Sequence, residues 1–352
     1  MEDWRSHNYS LMKMISIGEL LMRLTIPDQQ RFSQARNFDL DVGGSEANVA
    51  IGLSQLGWKA GIISALPANE LGTRVRSELR MTGLDTSHIV SKGSRIGLYF
   101  LEEGSSVRSS KIVYDRTHSS FNDLVPADFD WDVVFKDVKY LHWSAITPAI
   151  SENAANLCRV AVEKAVERGI SISCDLHYRK NLWNYGKSPK EVISALLEKS
   201  TIVLGDPSTI NALTGIEMRS MSNNSIECVN ELADDYRRLM DHFPSIKYVS
   251  MLLRTIINAN HHRLKGALVS ADQVVESRSI ELASIVDRIG GGDAYMAGLL
   301  FGLNHFENIK ESLNFALTMS AFKHTIKGDY YSGNYEEIME GINSKQLGKI
   351  IR

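Results

Sequence analysis

Val286-Asp-Arg-Ile-Gly-Gly-Gly-Asp293-Ala-Tyr-Met-Ala-Gly-Leu-Leu-Phe-Gly302 sets three consecutive glycines and one carboxylate directly before an almost wholly apolar stretch long enough for a buried helix. Backbone N–H groups in the first turn of a helix have no intrahelical partner and sit at the positive end of the macrodipole. Gly290, Gly291 and Gly292 can therefore close around a phosphate oxygen. Asp293 starts the helix, and a carboxylate held where a phosphoryl group arrives can accept the proton of an attacking hydroxyl. Taken alone, the same residues also read as a glycine turn with an N-terminal capping aspartate, so the rest of the chain must decide.

Outward from that motif, short apolar, β-branched runs alternate with helical patterns from end to end. This predicts an α/β fold with a mostly parallel central sheet. Strands are expected over 14–17, 59–65, 140–146, 170–175, 200–204 and 247–253. Helices are expected over 44–56, closed by Gly57, and over 151–168, closed by Gly169. Ser188-Pro-Lys-Glu191 reads as a capping box with proline at its first position, ahead of a helix at 192–197. Two segments, about 20–42 and 95–121, lack a helical repeat and leave the β-α-β rhythm; as β-rich excursions they would pair into a small lid that keeps water from the reaction. Residues 258–279 alternate like a hairpin. No internal repeat or low-complexity linker appears, so one domain is expected over 12–340.

The 352 residues are 43% hydrophobic and 23% charged, enough to bury a large core. A formal charge of −3 and a pI near 6.4 give no basic excess for nucleic acid or an anionic membrane, which leaves a small-molecule partner. Cys158, Cys174 and Cys228 stand far apart with no C-x-x-C pair, as suits a reducing cytoplasm. The N-terminus has no basic region followed by an apolar run, and no stretch of about 18 apolar residues occurs, so a cytoplasmic protein is expected. The ten histidines form no H-x-x-x-H pair with a nearby carboxylate on a helix face, and His261-His262 read as part of a polar loop, so no metal ligated by side chains is expected. Neither G-x-G-x-x-G after the first strand nor G-x-x-x-x-G-K-[ST] is present.

A second glycine pair, Gly43-Gly44, precedes Ser45-Glu46-Ala47-Asn48-Val49-Ala50 and opens a helix, where backbone amides or Asn48 can approach a polar ligand. Gly43-Gly44-x-x-x-Asn48-x-Ala50 together with Asp287-x-x-Gly290-Gly291-Gly292-Asp293 resembles the ribokinase, or PfkB, family of carbohydrate kinases. Arg95-Ile-Gly-Leu-Tyr-Phe100, Val113-Tyr-Asp-Arg116, Asp175-Leu-His-Tyr-Arg179 and Leu182-Trp183 are similar to the 2-keto-3-deoxygluconate kinases within it. The resemblance implies a three-layer α/β/α ribokinase-like fold with a small β lid, ATP as phosphoryl donor, Mg²⁺, and Asp293 as the base beside the glycines. It further implies that Gly44, Tyr99, Tyr114, Arg116 and Arg179 contact a sugar acid, that Arg254 faces the ATP phosphates, and that Asp329 reaches the substrate.

The arginines also carry a physical argument of their own. A keto-deoxy sugar acid bears a carboxylate, which the planar arginine fork meets with two charge-assisted hydrogen bonds, whereas a neutral sugar needs no such partner. Arg179 lies just past a strand, at the carboxyl edge where ligands of open α/β sheets collect. Tyr99 and Tyr114 also read as cross-strand lid packing, and Arg108 as a solvated loop tip. One stretch departs from the family pattern. Where relatives carry Asn-x-x-Glu, the glutamate orienting Mg²⁺-bound water, Asp206 and Thr209 stand here. Either Asp206 supplies the missing charge beside the nucleotide, or Mg²⁺ is held mainly by the ATP phosphates. The reading is ATP-dependent phosphorylation of 2-keto-3-deoxygluconate to its 6-phosphate; its rivals are a kinase for a neutral sugar such as fructose or ribose, and a non-catalytic sugar-binding protein on this scaffold. An exposed lid edge strand would favour a homodimer.

Overall fold

The computed structural model describes residues 12–219 and 229–343, so Cys228 lies outside the described residues. Its strands are β1 (Lys13–Ile17), β2 (Leu21–Thr25), β3 (Asp39–Gly43), β4 (Lys59–Leu66), β5 (Ile89–Ser91), β6 (Gly97–Glu102), β7 (Lys111–Asp115), β8 (Tyr140–Ser144), β9 (Ser171–Asp175), β10 (Ile202–Leu204), β11 (Tyr248–Asn258), β12 (His261–Val269) and β13 (Val274–Leu282). Nine of them form one sheet in the order β13-β12-β11-β10-β9-β8-β1-β4-β5. The pairs from β11 to β5 are parallel, and β12 and β13 add an antiparallel edge.

The period-2 alternation of each strand divides the core into two layers. On β1, Ile15 and Ile17 face one side and Met14 the other; on β4, Ile63 and Ile62 split in the same way. Helices Glu152–Glu167, Pro189–Leu197, Pro207–Thr214 and Val229–His242 cover the first face. Helices Ser45–Gln55, Glu70–Met81, Gly291–His305 and Ile309–Lys323 cover the second, giving the three-layer ribokinase-like architecture. Gly291–His305 is buried nearly all round, as its apolar sequence predicts. Gly298 and Gly302 let it approach Ile309–Lys323 so closely that an added Cβ would stand 2.7 Å from Ala316 Cα or Ser312 Cα.

The helix boundaries follow local chemistry with one correction. Ser151 caps its helix by accepting the Ala154 N–H at 3.2 Å. Ser188 makes no such bond, so the expected capping box is absent; Pro189 at the first position presets the helical φ without it.

The excursions after β1 and after β5 supply a second, four-stranded sheet in the order β3-β2-β6-β7. Within it β2 and β6 run parallel, and the outer pairs run antiparallel. The hairpin-like stretch at 258–279 belongs instead to the main sheet, because β11 runs on to Asn258 and turns straight into β12. His262 is therefore a fully buried strand residue and not part of a polar loop. The turn between β11 and β12 also pins the lid tip. Ala259 N–H donates to Ser106 O at 2.8 Å, and Ser106 N–H donates to Asn260 Oδ1 at 2.9 Å. Arg108 is correspondingly no free loop tip, since it pairs with Glu102 at 2.7 Å and donates to Gln29 O at 2.6 Å.

At the lid's root lies a buried cation. Arg23, on β2, is 1% exposed and stands 2.9 Å from Asp329 Oδ1 and 2.7 Å from Asp287 Oδ2. Its Nε donates to Thr25 Oγ1 at 2.6 Å. Asp287 in turn accepts the N–H groups of Ile289 and Gly328, so one guanidinium ties the lid to the loop that leads into the glycines. Removing one partner of a buried ion pair strands the others without solvent, which costs about 3–5 kcal/mol. Arg23→Met should accordingly lower the thermal midpoint sharply in differential scanning fluorimetry, and an unchanged midpoint would show that the two aspartates find water instead.

Candidate active site

A cavity of about 850 Å³ lies between the lid and the carboxyl edge of the sheet. Its floor is the start of helix Gly291–His305. Gly290 caps that helix with φ of 75°, and a Cβ there would meet Asp329 O at 1.6 Å, so only glycine fits. Ala294 is the first residue whose N–H finds a helix acceptor, Gly290 O at 2.9 Å. The amides of Gly291, Gly292 and Asp293 are thus left without intrahelical partners, beside the cavity. Gly43 and Gly44 make a second close approach, an added Cβ lying 1.8 Å from Asp329 Oδ2 and 2.4 Å from Glu19 O respectively.

Asp293 is the third residue of the helix and is 5% exposed. Ser45 Oγ donates to its Oδ1 at 2.7 Å, and Asn48 Nδ2 donates to its Oδ2 at 2.7 Å. Burial raises its pKa to about 6, with His177 and the two hydrogen bonds only partly offsetting the desolvation. His177 follows β9 and stands 3.0 Å from Asp175 Oδ2 through Nε2 and 3.4 Å from Ser45 Oγ through Nδ1. Asp175, His177 and Asp293 each offer a ligating atom within 4.8 Å of the others.

The lid side carries the residues expected to hold a sugar acid, in unequal states. Arg116 is buried and donates to Glu19 through both Nε, at 2.7 Å, and Nη2, while Ser119 donates to the other oxygen of the same carboxylate. It therefore adds no net charge, and its guanidinium sits 5.6 Å from the Tyr114 ring centre. Arg179 lines the cavity, is exposed, and has no ion-pair partner among the described residues. Tyr99 and Tyr114 are a cross-strand pair with ring centres 5.9 Å apart, and both also line the cavity. The Tyr99 hydroxyl donates to Asp329 Oδ2 at 2.6 Å, so the Asp329 oxygens are shared between Tyr99 and Arg23.

The opposite wall is basic. Arg254 lines the cavity at the end of the buried part of β11, and its Nε has no hydrogen-bond partner. Burial and the neighbouring Arg288 lower its pKa to about 10, which still leaves it charged at neutral pH. Arg288 lines the same wall, two residues before Gly290. Asp206 is not among the lining residues. Because Pro207 opens the next helix, Asp206 is spent as its N-cap, accepting from the N–H of Ser208 and Thr209 and from both hydroxyls.

Residue reading thus brings Asp293, the three glycines, Gly44, Asn48, Tyr99, Tyr114, Arg116, Arg179, Arg254 and Asp329 to one cavity and leaves Asp206 outside it. It overlooks Ser45, Glu19, His177 and Arg288. Ser45 and Arg288 stand inside the glycine motifs, and a histidine two residues past a strand end was the available sign for His177.

Known proteins show the same arrangement of chain. The crystal structure of 2-dehydro-3-deoxygluconokinase from Thermotoga maritima is 34% identical and superposes with a TM-score of 0.88, covering 95% of this chain and 100% of that one. The 2-dehydro-3-deoxygalactonokinase of Haloferax volcanii is 27% identical over 317 residues, 90% of this chain and 92% of the relative. An uncharacterized sugar kinase from Pyrococcus horikoshii, solved in complex with ATP, shares the fold at 22% identity and a TM-score of 0.68, over 93% of this chain and 97% of that one. Residues 12–239 match the family model of pfkB carbohydrate kinases, and the chain belongs to that family of carbohydrate kinases.

Proposed function

We propose that this kinase transfers the γ-phosphoryl group of ATP to the terminal hydroxyl of 2-keto-3-deoxygluconate, giving the 6-phosphate. The observation that carries this reading is Asp293, desolvated and clamped by Ser45 and Asn48 at the mouth of a helix N-terminus. In the step proposed, Asp293 takes the hydroxyl proton, the acceptor oxygen bonds to phosphorus, and the bond from phosphorus to the bridging oxygen of ADP breaks. The amides of Gly291 and Gly292, with Arg254 and Arg288, meet charge that develops on the phosphoryl oxygens. Mg²⁺ bound with ATP would neutralise further phosphate charge. With the Asp206 carboxylate used as a helix cap, that ion would be held chiefly by the phosphates and water.

The acceptor class follows from Arg179, an unpaired guanidinium in the cavity, with Arg116 contributing its remaining N–H. The ATP complex of the Pyrococcus horikoshii neighbour and the name of the Thermotoga maritima relative support donor and acceptor respectively. A second reading, the galactonate-derived epimer, is favoured by the name of the Haloferax volcanii relative. The lid edge strand β7, exposed along its length with Val113 at 52%, supports pairing with a second copy, which sedimentation would detect.

In a coupled assay of ADP release, the two keto-deoxy sugar acids should be turned over far faster than fructose or ribose. Arg179→Ala should raise KM for the acid roughly 10–100-fold, the worth of a hydrogen bond to a charged group. Equal turnover of the neutral sugars would overturn the acceptor assignment.

Asp293→Asn should lower kcat roughly 10²–10⁴-fold with little change in KM, and retained turnover would remove Asp293 from the role of base. For the parent, kcat/KM should decline as pH falls through about 6, where Asp293 gains its proton. The same raised value means that ionisation of Asp293 costs stability above pH 6. The inactive Asn variant should therefore melt above the parent at pH 8, and a lower melting point would contradict the desolvation argument.

A further inference from the structure

Beside the base stands a histidine whose proton inventory the neighbouring groups fix. A carboxylate only accepts, so in the 2.7 Å contact between Ser45 and Asp293 the hydroxyl is the donor. Ser45 has one proton, so its 3.4 Å contact with His177 Nδ1 is an N–H donated by the ring. His177 Nε2 stands at ion-pair distance, 3.0 Å, from Asp175 Oδ2, a buried carboxylate oxygen with no aligned hydrogen-bond donor among the described residues. A bare ring lone pair held 3.0 Å from that carboxylate oxygen would repel it, so this nitrogen carries a proton as well. A ring protonated at both nitrogens is an imidazolium.

We propose that His177, charged and clamped between Asp175 and Ser45, is the positioning residue of the base. It fixes the Ser45 hydroxyl as a donor to Asp293 and supplies the positive charge that keeps Asp293 ionised until the acceptor hydroxyl arrives. This inference rests on the reading of Asp293 as general base, and it adds a residue that acts through another.

The surrounding charges leave this task to His177. From helix Ser45–Gln55, Glu46 faces the same region, buried and holding the Ser144 and Thr147 hydroxyls. Asp175 adds a second negative charge from β9. Lys323, from helix Ile309–Lys323, is buried and donates to Ile326 O at 2.9 Å, and Arg179 stays at the exposed rim. Burial alone would strip His177 of its proton, but the Asp175 carboxylate, with Asp293 behind it, raises its pKa instead. Among the influences that favour ionised Asp293 against its burial, His177 is the largest.

The test has one arm that needs no variant. In ¹⁵N NMR of the whole enzyme at pH 7, where a free histidine is mostly neutral, His177 should show both ring nitrogens protonated; a neutral ring there would overturn the proposal. Addition of Zn²⁺ should leave those resonances in place, and a shift to a metal-bound ring would assign Asp175, His177 and Asp293 to a cation instead. In the second arm, His177→Asn and His177→Gln are assayed for kcat/KM from pH 5 to pH 9. The acid limb should move up by about one pH unit, a roughly 5-fold loss at pH 6 that approaches roughly 10-fold at pH 5 and is recovered by pH 8. A uniform loss with an unmoved limb would reduce His177 to a spacer and overturn its electrostatic role. Should Asp293→Asn keep its turnover, the base assignment fails on its own, and the NMR arm still reports whether the ring is charged.

Discussion

The geometry of the site depends on one buried cation. Arg23 reaches from the lid to Asp329 and Asp287, and these two carboxylates hold the loops on either side of the glycine cradle. An arginine with 1% exposure is tolerable only with its charge matched and its donors filled, which fixes the spacing of lid, cradle and C-terminal loop together. The backbone of Asp329 then closes against Gly290, and its side chain against Gly43. Both glycine motifs are thus shaped by the same residue.

On this scaffold the charges are sorted by need. Glu19, Asp206 and Asp329 have their oxygens filled by neighbours in the chain, which leaves them little capacity for a ligand. Arg116 is likewise half spent. Among the described residues, the cavity arginines without an ion-pair partner are Arg179 at the lid side and Arg254 with Arg288 at the other wall, a disposition that suits an anion at each end of the cavity. Asp293 sits between them, where desolvation makes it a better proton acceptor than an exposed carboxylate and a costlier one to keep charged. On the proposed reading, stability is exchanged for reactivity at that residue.

Local signals were legible in the sequence and long-range partners were not. The glycine cradle, the apolar helix behind it and the β-rich excursions all show as patterns within a few residues, and the fold follows from them. Arg23 gave no sign, because its importance lies in two aspartates more than 260 positions away, where its separation from Asp329 alone is 306 residues. Arg116 was legible as an arginine of the lid excursion, but its commitment to Glu19 came from a residue 97 positions earlier that no motif marks. Asp206 shows the opposite case: the proline after it dictates a helix cap, a local rule that engages the carboxylate expected beside the nucleotide. His262 looked polar by composition and is an interior strand residue by register.

The order in which the chain is made gives the Arg23 pair a further meaning. Arg23 on β2 is made more than 260 positions before Asp287 and Asp329, the two carboxylates that approach it most closely. Until then the guanidinium must stay hydrated, and the lid has no reason to settle on the sheet. A chain that stops short of Asp287 lacks the ion pairs that tie the lid to the loop before the glycines. Order in the lid is thereby tied to residues made long after it, through the mutual neutralisation of groups far apart in sequence.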